Sequence, residues 1–465
     1  MREYELLIDG KLVGAHGGHT VATRNPATND YVSIVPKTAV RDARRAVDAA
    51  RRTANSGAWS GAGEAERRRA LRGLADVLWE RQTEIADVDS EEAGIPIRAC
   101  SAIVAGAIES LRSRADTSHA REATRDTPEP FGVVGVIAGF DAPFVRALGR
   151  VANALADGNA VVLNPSPATP GSALELARAC AESDVPPGVL NVLSGGDHRV
   201  NEEIATNPLV DSVAVAGSVD AAMKIVSAAA TVLRPIDYAP SGSATQFIFP
   251  DADLDLAIPG ALWAALFLSG QTPHAATRIV VHASIHEVVE HHLAQGARSL
   301  RAGDPSSFET DLGPMLTVQA GARAGASIEK AVSDGARILC GGSRSGSVFQ
   351  PTVLGGVTSV MRIAHEDVHA PVVSVLSLRD FDDAAALASA EPPAVIWSRD
   401  AAGATDFAAR LRTPDVWVNC FEHFPSGYKR DVRVKRIHRV EGRQQTKVQL
   451  PLLGLDRLYG YGAES

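Results

Sequence analysis

Cysteine is the residue type in this chain best suited to act as a nucleophile or a soft metal ligand. The 465 residues hold four of them, Cys100, Cys180, Cys340 and Cys420. They stand far apart, with no CxxC pair and no Cys/His pair at metal-ligand spacing. Four in so long a chain are not a disulfide framework, and taken alone they read as small apolar packing residues. The thirteen histidines show no metal pattern either. His291 and His292 are adjacent on a helical stretch, so their side chains diverge by about 100° and share a metal poorly. Two glycine-containing pairs, Gly195-Gly196 and Gly217-Ser218, stand at strand-to-helix turns, where backbone amides can meet a phosphate. Neither belongs to a GxGxxG fingerprint, and glycine at such a turn also serves backbone geometry alone. Arg67, Arg68, Arg69 and Arg72 could face an anionic partner. Their interleaving with Glu64, Glu66 and Asp76 reads instead as a solvated helix face.

The elements that must position these groups follow from the apolar pattern. Residues 39–55 and 63–90 carry helical periodicity. From 131 onward short apolar runs alternate with helical segments: Val133–Ala138, a helix from Ala147 to Ala156, Ala160–Leu163, a helix near 171–182, Val189–Leu193, a helix near 198–205, and Ser212–Val215. Such runs are buried strands, and their alternation with helices predicts βαβ units and a parallel sheet. Sheets of this kind take ligands at the carboxyl ends of their strands. A second α/β block, about 243–415, has a strand at Ile279–Val281 introduced by Arg278, helices near 285–299 and 316–334, and a strand near 371–377. The tail, 430–450, alternates basic and apolar residues and reads as a strand or ribbon suited to a subunit contact.

Composition bounds the function classes. Hydrophobic residues make up 45% and charged residues 22%, which is ordinary for a soluble protein. Length alone suggests about three domains. With 5% aromatics the core must rest on Ala, Val, Leu and Ile. A net charge of −9 argues against a nucleic-acid binder. No apolar run reaches membrane-spanning length, and the first residues lack a signal-peptide pattern. The expected location is the cytoplasm, with no membrane and no metal.

A series of segments in order resembles the aldehyde dehydrogenase superfamily over nearly the whole length. They are Asn25-Pro26-Ala27-Thr28, Phe131 to Ile137, Ala154 to Val162, Pro187 to Val192, Asp251-Ala252-Asp253-Leu254-Asp255, Gly303-Asp304-Pro305 with Gly313-Pro314-Met315, Pro351-Thr352-Val353-Leu354, and Trp417-Val418-Asn419-Cys420. The resemblance implies an α/β fold with two parallel-sheet domains and a small β ribbon that joins subunits. It places a nucleotide-binding-like domain at 1–118 and 133–241, a catalytic-like domain at 242–430, and the ribbon and tail at 119–132 and 431–465. Family members oxidise aldehydes with NAD or NADP. A cysteine thiolate attacks the carbonyl, a glutamate activates water, and an asparagine side chain with the cysteine's own N–H holds the oxyanion.

At the matching positions this chain departs from that chemistry. The family's GQxCxAxxR is Gly270-Gln271-Thr272-Pro273-His274-Ala275-Ala276-Thr277-Arg278. Pro273 stands where the cysteine would be, and proline supplies neither a nucleophile nor a backbone N–H. Thr272, His274 and Gln271 remain as pocket residues. The family's ELGG becomes Ala239-Pro240-Ser241-Gly242, so Ala239 replaces the glutamate. Asp237, two residues away, would lie about 7 Å off on an extended segment. The asparagine of PWNFP becomes Asp141, whose ionised carboxylate would repel an oxyanion. Asp141 could instead hold a cation, act as a base, or serve structure alone.

The cofactor positions are eroded as well. KPxE becomes Asn164-Pro165-Ser166-Pro167. FTGSxxxG keeps Gly217 and Ser218 but ends in Ala222. EEIFGP becomes Glu366-Asp367-Val368-His369-Ala370-Pro371, leaving Asp367 to reach a ribose and His369 in place of the phenylalanine. The late segment Phe421 to Ser426 is shorter than the family's substrate-tunnel loop. The expectation is therefore an aldehyde-dehydrogenase-like pseudoenzyme with a binding, scaffolding or subunit-partner role. One alternative is a repurposed enzyme using Asp141, His274 or His369 on a small molecule. Another is an NAD(P)-dependent aldehyde oxidoreductase with a relocated catalytic group. No cofactor is expected, with NAD or NADP bound weakly at most. The expected assembly is a homodimer or tetramer, with a hetero-partner or small-molecule ligand as further partners.

Overall fold

The computed structural model describes residues 1–116, 129–217, 219–239, 242, 244–379, 384–388, 393–413, 415–422, 436–439, 450–453 and 455. The chain divides into two compact units, Met1–Ala93 with Cys100–Ala239, and Gly94–Ala99 with Pro240–Ser465. The N-terminal strands fall in the first unit.

In the first unit the strands are β1 (Arg2–Glu3), β2 (Leu6–Ile8), β3 (Lys11–Val13), β4 (Thr20–Arg24), β5 (Tyr31–Pro36), β6 (Val133–Ile137), β7 (Ala160–Asn164), β8 (Leu190–Val192), β9 (Ser212–Ala216) and β10 (Ile236–Ala239). The helices are α1 (Val40–Ser56), α2 (Glu64–Glu80), α3 (Gln82–Ala93), α4 (Ile97–Asp116), α5 (Pro143–Ala156), α6 (Gly171–Ala181), α7 (His198–Thr206) and α8 (Val219–Ala230). The periodic stretch 63–90 is thus two helices, broken at Arg81, and α5 begins at Pro143, four residues before the sequence pattern suggests. Proline at the first helical position loses nothing there. The main sheet runs β10-β9-β6-β7-β8-β2-β3, parallel from β10 to β8 and antiparallel at β2 and β3. Every residue of β6, β7 and β8 is buried, as a sheet covered on both faces requires. Ala43, Ala46, Ala49 and Ala50 of α1 lie in the core with β-strand valines. Small helix faces therefore do the packing that aromatics do elsewhere. A small sheet, β1-β5-β4, stands apart.

The second unit holds β11 (Thr245–Ile248), α9 (Leu254–Leu266), β12 (Arg278–His282), α10 (His286–Arg298), α11 (Val318–Ser333), β13 (Arg337–Cys340), β14 (Arg344–Ser345), β15 (Val348–Phe349), β16 (Thr352–Val357), β17 (Val372–Leu378), β18 (Ala394–Trp397), α12 (Ala401–Arg410), β19 (Asp415–Val418) and β20 (Arg436–Arg439). Its sheet is β13-β16-β17-β12-β11-β18-β19-β20, parallel except for β13 on β16. Part of the basic, alternating tail is β20, which pairs parallel to β19 with Asp415 opposite Arg436. The segment Gly94–Ala99 belongs here because Ile97 donates its N–H to Pro305 at 2.8 Å and Arg98 pairs with Asp311 at 2.7 Å. Residues 119–128 of the expected ribbon, 431–435, 440–449, 454 and 456–465 of the expected tail, and 423–426 of the late loop lie outside the described residues.

Candidate active site

In the first unit the chain makes β6, then β7 and β8 on one side of it, then β9 on the other. The strand order therefore reverses between β6 and β9, and the crevice at their carboxyl ends is where such sheets bind ligands. The loop after β6, Ala138 to Ala142, and the turn after β9 meet there. A Cβ on Gly139 would lie 3.4 Å from the Ala216 carbonyl oxygen and 3.4 Å from Gly217 Cα. Gly217 itself has φ +157°, and a Cβ on it would meet no atom within 4 Å. The side of Gly217 on which a Cβ would stand is therefore open. Ser218 lies outside the described residues. Asn164 ends β7 opposite Ile137, and its amide donates to Asn201 of α7 at 2.7 Å. The side-chain oxygen of Asn164 is buried with no hydrogen-bond partner.

Asp141 is placed in this crevice but is already engaged. It is 6% exposed, and Arg146, one turn into α5, donates Nε to it at 2.9 Å. Ala142, at the N-cap of α5, has φ +45°, a left-handed conformation that a non-glycine residue holds only at a cost. Alanine offers no capping oxygen. The Phe144 N–H is instead satisfied by Asp89 of α3 at 3.2 Å. Asp89 is fully enclosed, and burial pushes its carboxyl up to about 7. Sequence reasoning missed it. The available signal was Asp89 and Glu92 at helical spacing, on the side of α3 that carries Ile85 and Ala86, but their partners lie 55 and 79 residues away. Asp237 on β10 forms an ion pair with Arg150 of α5. Ala239 is the last residue of β10.

In the second unit the chemistry-bearing residues gather at the amino ends of the strands, not the carboxyl ends that sheet topology alone suggests. The loop before β12 turns through three consecutive left-handed residues, Leu268, Ser269 and Gly270. Gly270 has φ +64°, and a Cβ there would sit 2.3 Å from the Ala370 carbonyl oxygen. Only glycine fits this close approach. Ser269 donates to the Gly313 carbonyl at 2.8 Å. Gln271 is a structural clamp: Nε2 donates to Pro314 at 3.2 Å, and Oε1 accepts the Leu316 N–H at 2.9 Å. Thr272 is 1% and His274 6% exposed, while Pro273 between them is half-buried. The Pro273 carbonyl accepts the Gly242 N–H at 2.8 Å. Pro273, like Gln271, is thus partly open, while Thr272 and His274 on either side of Pro273 are packed inside.

Asp367 and His369 lie just before β17, next to this loop through Ala370. His369 Nε2 is 3.0 Å from Asp367 Oδ2, and its backbone, at φ +48°, is again left-handed. Burial raises the Asp367 carboxyl above its usual range, against the downward pull of His369 and, further off, Arg278. Arg278 donates Nη1 to Thr245 at 3.1 Å and to the Leu387 carbonyl at 3.0 Å, and burial lowers it from the usual guanidinium value. All four cysteines are buried. Burial pushes the Cys180 thiol up to about 12, and those of Cys100 and Cys340 upward too. Those three are held as thiols, not thiolates. The rings of His291 and His292 stand 5.5 Å apart at 77°. No helix among the described residues is long and apolar enough to cross a membrane.

Comparison with known proteins agrees with this architecture. Residues 13–429 match the aldehyde dehydrogenase family. The chain is 31% identical over 421 residues to aminoaldehyde dehydrogenase 1, peroxisomal, of Malus domestica, covering 85% of this chain and 84% of the relative. It is 28% identical over 470 residues to the betaine aldehyde dehydrogenase of Bacillus subtilis (strain 168), covering 96% of each. Among solved structures it is similar to an NAD-dependent aldehyde dehydrogenase from Sinorhizobium meliloti, with a TM-score of 0.86, 31% identity, and 90% and 88% of the two chains covered. A Bacillus cereus aldehyde dehydrogenase in complex with NAD+ gives 0.86 and 30%, covering 90% and 89%. The parallel sheets, the small separate sheet and these matches over nine tenths of the length have one reading: the chain belongs to the aldehyde dehydrogenase family.

Proposed function

We propose that this protein is an aldehyde-dehydrogenase-fold pseudoenzyme that does not oxidise aldehydes through a thiol, and that it acts by binding, scaffolding or partnering another subunit. The observation that carries the reading is the loop 271–274. Pro273, partly exposed like Gln271, has neither a nucleophile nor an N–H, and Thr272 and His274 on either side of it are buried. No cysteine stands in to replace it, since all four are buried elsewhere. Under this reading the first unit, with 1–118 and 133–241, is nucleotide-binding-like. Residues 242–430 are catalytic-like, and 119–132 with 431–465 form the subunit-joining ribbon of a homodimer or tetramer.

A dinucleotide fits the crevice of the first unit only in part. The open side of Gly217 suits a phosphate group. On the ribose side, Asn164 spends its donor on Asn201, and Pro167 has no donor. We therefore propose weak binding of NAD or NADP and derive no step through it. A second reading, acid–base chemistry on a small molecule, is favoured by the Asp367–His369 pair on its strained turn. Calorimetry of the purified protein with NAD and NADP, followed by an aldehyde panel, tests both statements. Binding weaker than low micromolar and no turnover sensitive to iodoacetamide are expected. Tight binding with turnover would make the chain a working oxidoreductase like its relatives.

A further inference from the structure

We infer that the first unit carries a second small-molecule site, for a phosphomonoester, in a cavity at the amino ends of α1 and α7. The cavity measures about 510 Å³ and is walled by β4 and β5 residues, the start of α1 and the turn Ser194-Gly195-Gly196. That volume suits a ligand the size of a mononucleotide or sugar phosphate. Gly217 and Asn164 do not line it, although Pro167 does. The glycine pair, set apart in the sequence as a weak phosphate-loop candidate, forms part of this wall, away from the β6/β9 crevice.

Charge decides the ligand class. Lys37, Arg41 and Arg199 line the cavity with His16 and His19, against one acidic residue, Asp197. In a chain of net charge −9 this is a local inversion of sign. Asp197 caps α7 and is paired with Arg199, so those two cancel. Arg41 donates to His16 Nε2 at 3.3 Å, a contact that orients the guanidinium and is not an ion pair with a carboxylate. Lys37 has no ion-pair partner among the described residues. The nearby Asp42 carboxylate is 0% exposed and is used up by the N–H groups of His16 and Ala39 and by Arg45. Two positive charges are thus left to face a ligand, matching the two negative charges of a phosphomonoester.

The floor is built and does not collapse. Thr38 and Ser194 share a hydrogen bond at 2.8 Å, and both are buried. A Cβ on Gly195 would lie 2.6 Å from Pro167 Cα, and one on Gly196 2.7 Å from Val200, so the wall can come this close only as glycine. Among the described residues the N–H groups of Gly195 and Gly196 make no hydrogen bond. The amino end of the 17-residue α1 adds its positive dipole to the same side.

The test is calorimetry of the full chain at low salt with AMP, adenosine, inorganic phosphate and NADP, on the wild type, Lys37→Gln, Arg41→Gln and a charge-matched control, Arg69→Gln on α2. AMP should bind, adenosine should not, and each cavity variant should weaken AMP about tenfold while the control leaves it unchanged. Phosphate alone should compete with AMP. AMP should also protect Lys37, and not Lys224, from acetylation read by mass spectrometry, which needs no variant. No AMP binding, equal weakening by the control, or equal binding of adenosine would overturn the site. So would mutual exclusion of AMP and NADP that Lys37→Gln leaves untouched, because the AMP would then sit in the dinucleotide crevice.

Discussion

Replacing Asp89 by asparagine should flatten the pH dependence of stability, and the size of the effect follows from where Asp89 sits. The carboxyl is enclosed beneath the amino end of α5, where it accepts the Phe144 N–H at 3.2 Å. Burial lifts it from 3.8 to about 7, a rise that the Phe144 N–H opposes and the charge of Glu92 assists. The folded chain therefore keeps this proton to about pH 7, while the unfolded chain releases it near 3.8. Between those values only the native state binds the proton, so stability is fully present below the lower value and is lost as pH rises through the upper one. The slope is about 1.36 kcal/mol per pH unit, or about 4 kcal/mol over the whole interval. From about pH 5 to about pH 7 the loss is roughly 2–3 kcal/mol.

An asparagine at this position would have no proton to lose, nearly the same volume, and a carbonyl oxygen to offer Phe144. Glu175, Asp87 and Asp367 are also raised by burial, but they add slopes of the same sign to both proteins and cancel in the difference. Urea unfolding of the wild type and Asp89→Asn, followed by circular dichroism in half-unit steps over this range, reads that difference directly. The variant should gain roughly 2–3 kcal/mol on the wild type between the two ends. Parallel curves would show that Asp89 ionises normally inside the fold, and the account of how α5 and the Asp141 loop are held would fail with it.

Pro273→Cys should remain near background in NAD-dependent aldehyde oxidation, because groups that act as a unit are strongly non-additive; efficient turnover by this single variant would refute the pseudoenzyme reading. Gly270→Ala should destabilise by about 1–3 kcal/mol, since it sets a Cβ against the Ala370 carbonyl at positive φ; a melting temperature equal to the wild type would count against that packing. His369→Gly relieves its left-handed backbone but removes the partner of Asp367, so Asp367→Asn together with His369→Gly should be more stable at neutral pH than His369→Gly alone, as thermal melts will show. Light scattering at micromolar concentration should give a multiple of the 48.8 kDa chain mass, and a clean monomer would remove the subunit-joining role proposed for 119–132 and 431–465.

The parallel α/β architecture was legible in the chain because it is written locally. Val133–Ile137 and Ala160–Asn164 are apolar almost throughout, and only strands covered on both faces need that. The family was legible because short turns such as Asp251 to Asp255 and Gly303 to Pro305 keep fixed backbone roles in fixed order. The sequence also showed that Pro273 stands at the nucleophile position, since Gly270, Gln271 and Arg278 pin the register. It could not show that Thr272 and His274 are packed away on either side of that proline, because burial is a property of what comes to lie against a loop. The pairings Asp141–Arg146 and Asp367–His369 are close in sequence, yet nothing local distinguishes them from solvated charges. Asp89 against Phe144, and the cavity shared by Lys37, Arg41 and Gly195-Gly196, join segments tens to more than a hundred residues apart. Charge type and helix period are carried by single residues and their near neighbours. Desolvation, strain at Ala142 and His369, and the sign of a cavity's field exist only once distant backbone has closed around them, and those are what the tertiary structure decided.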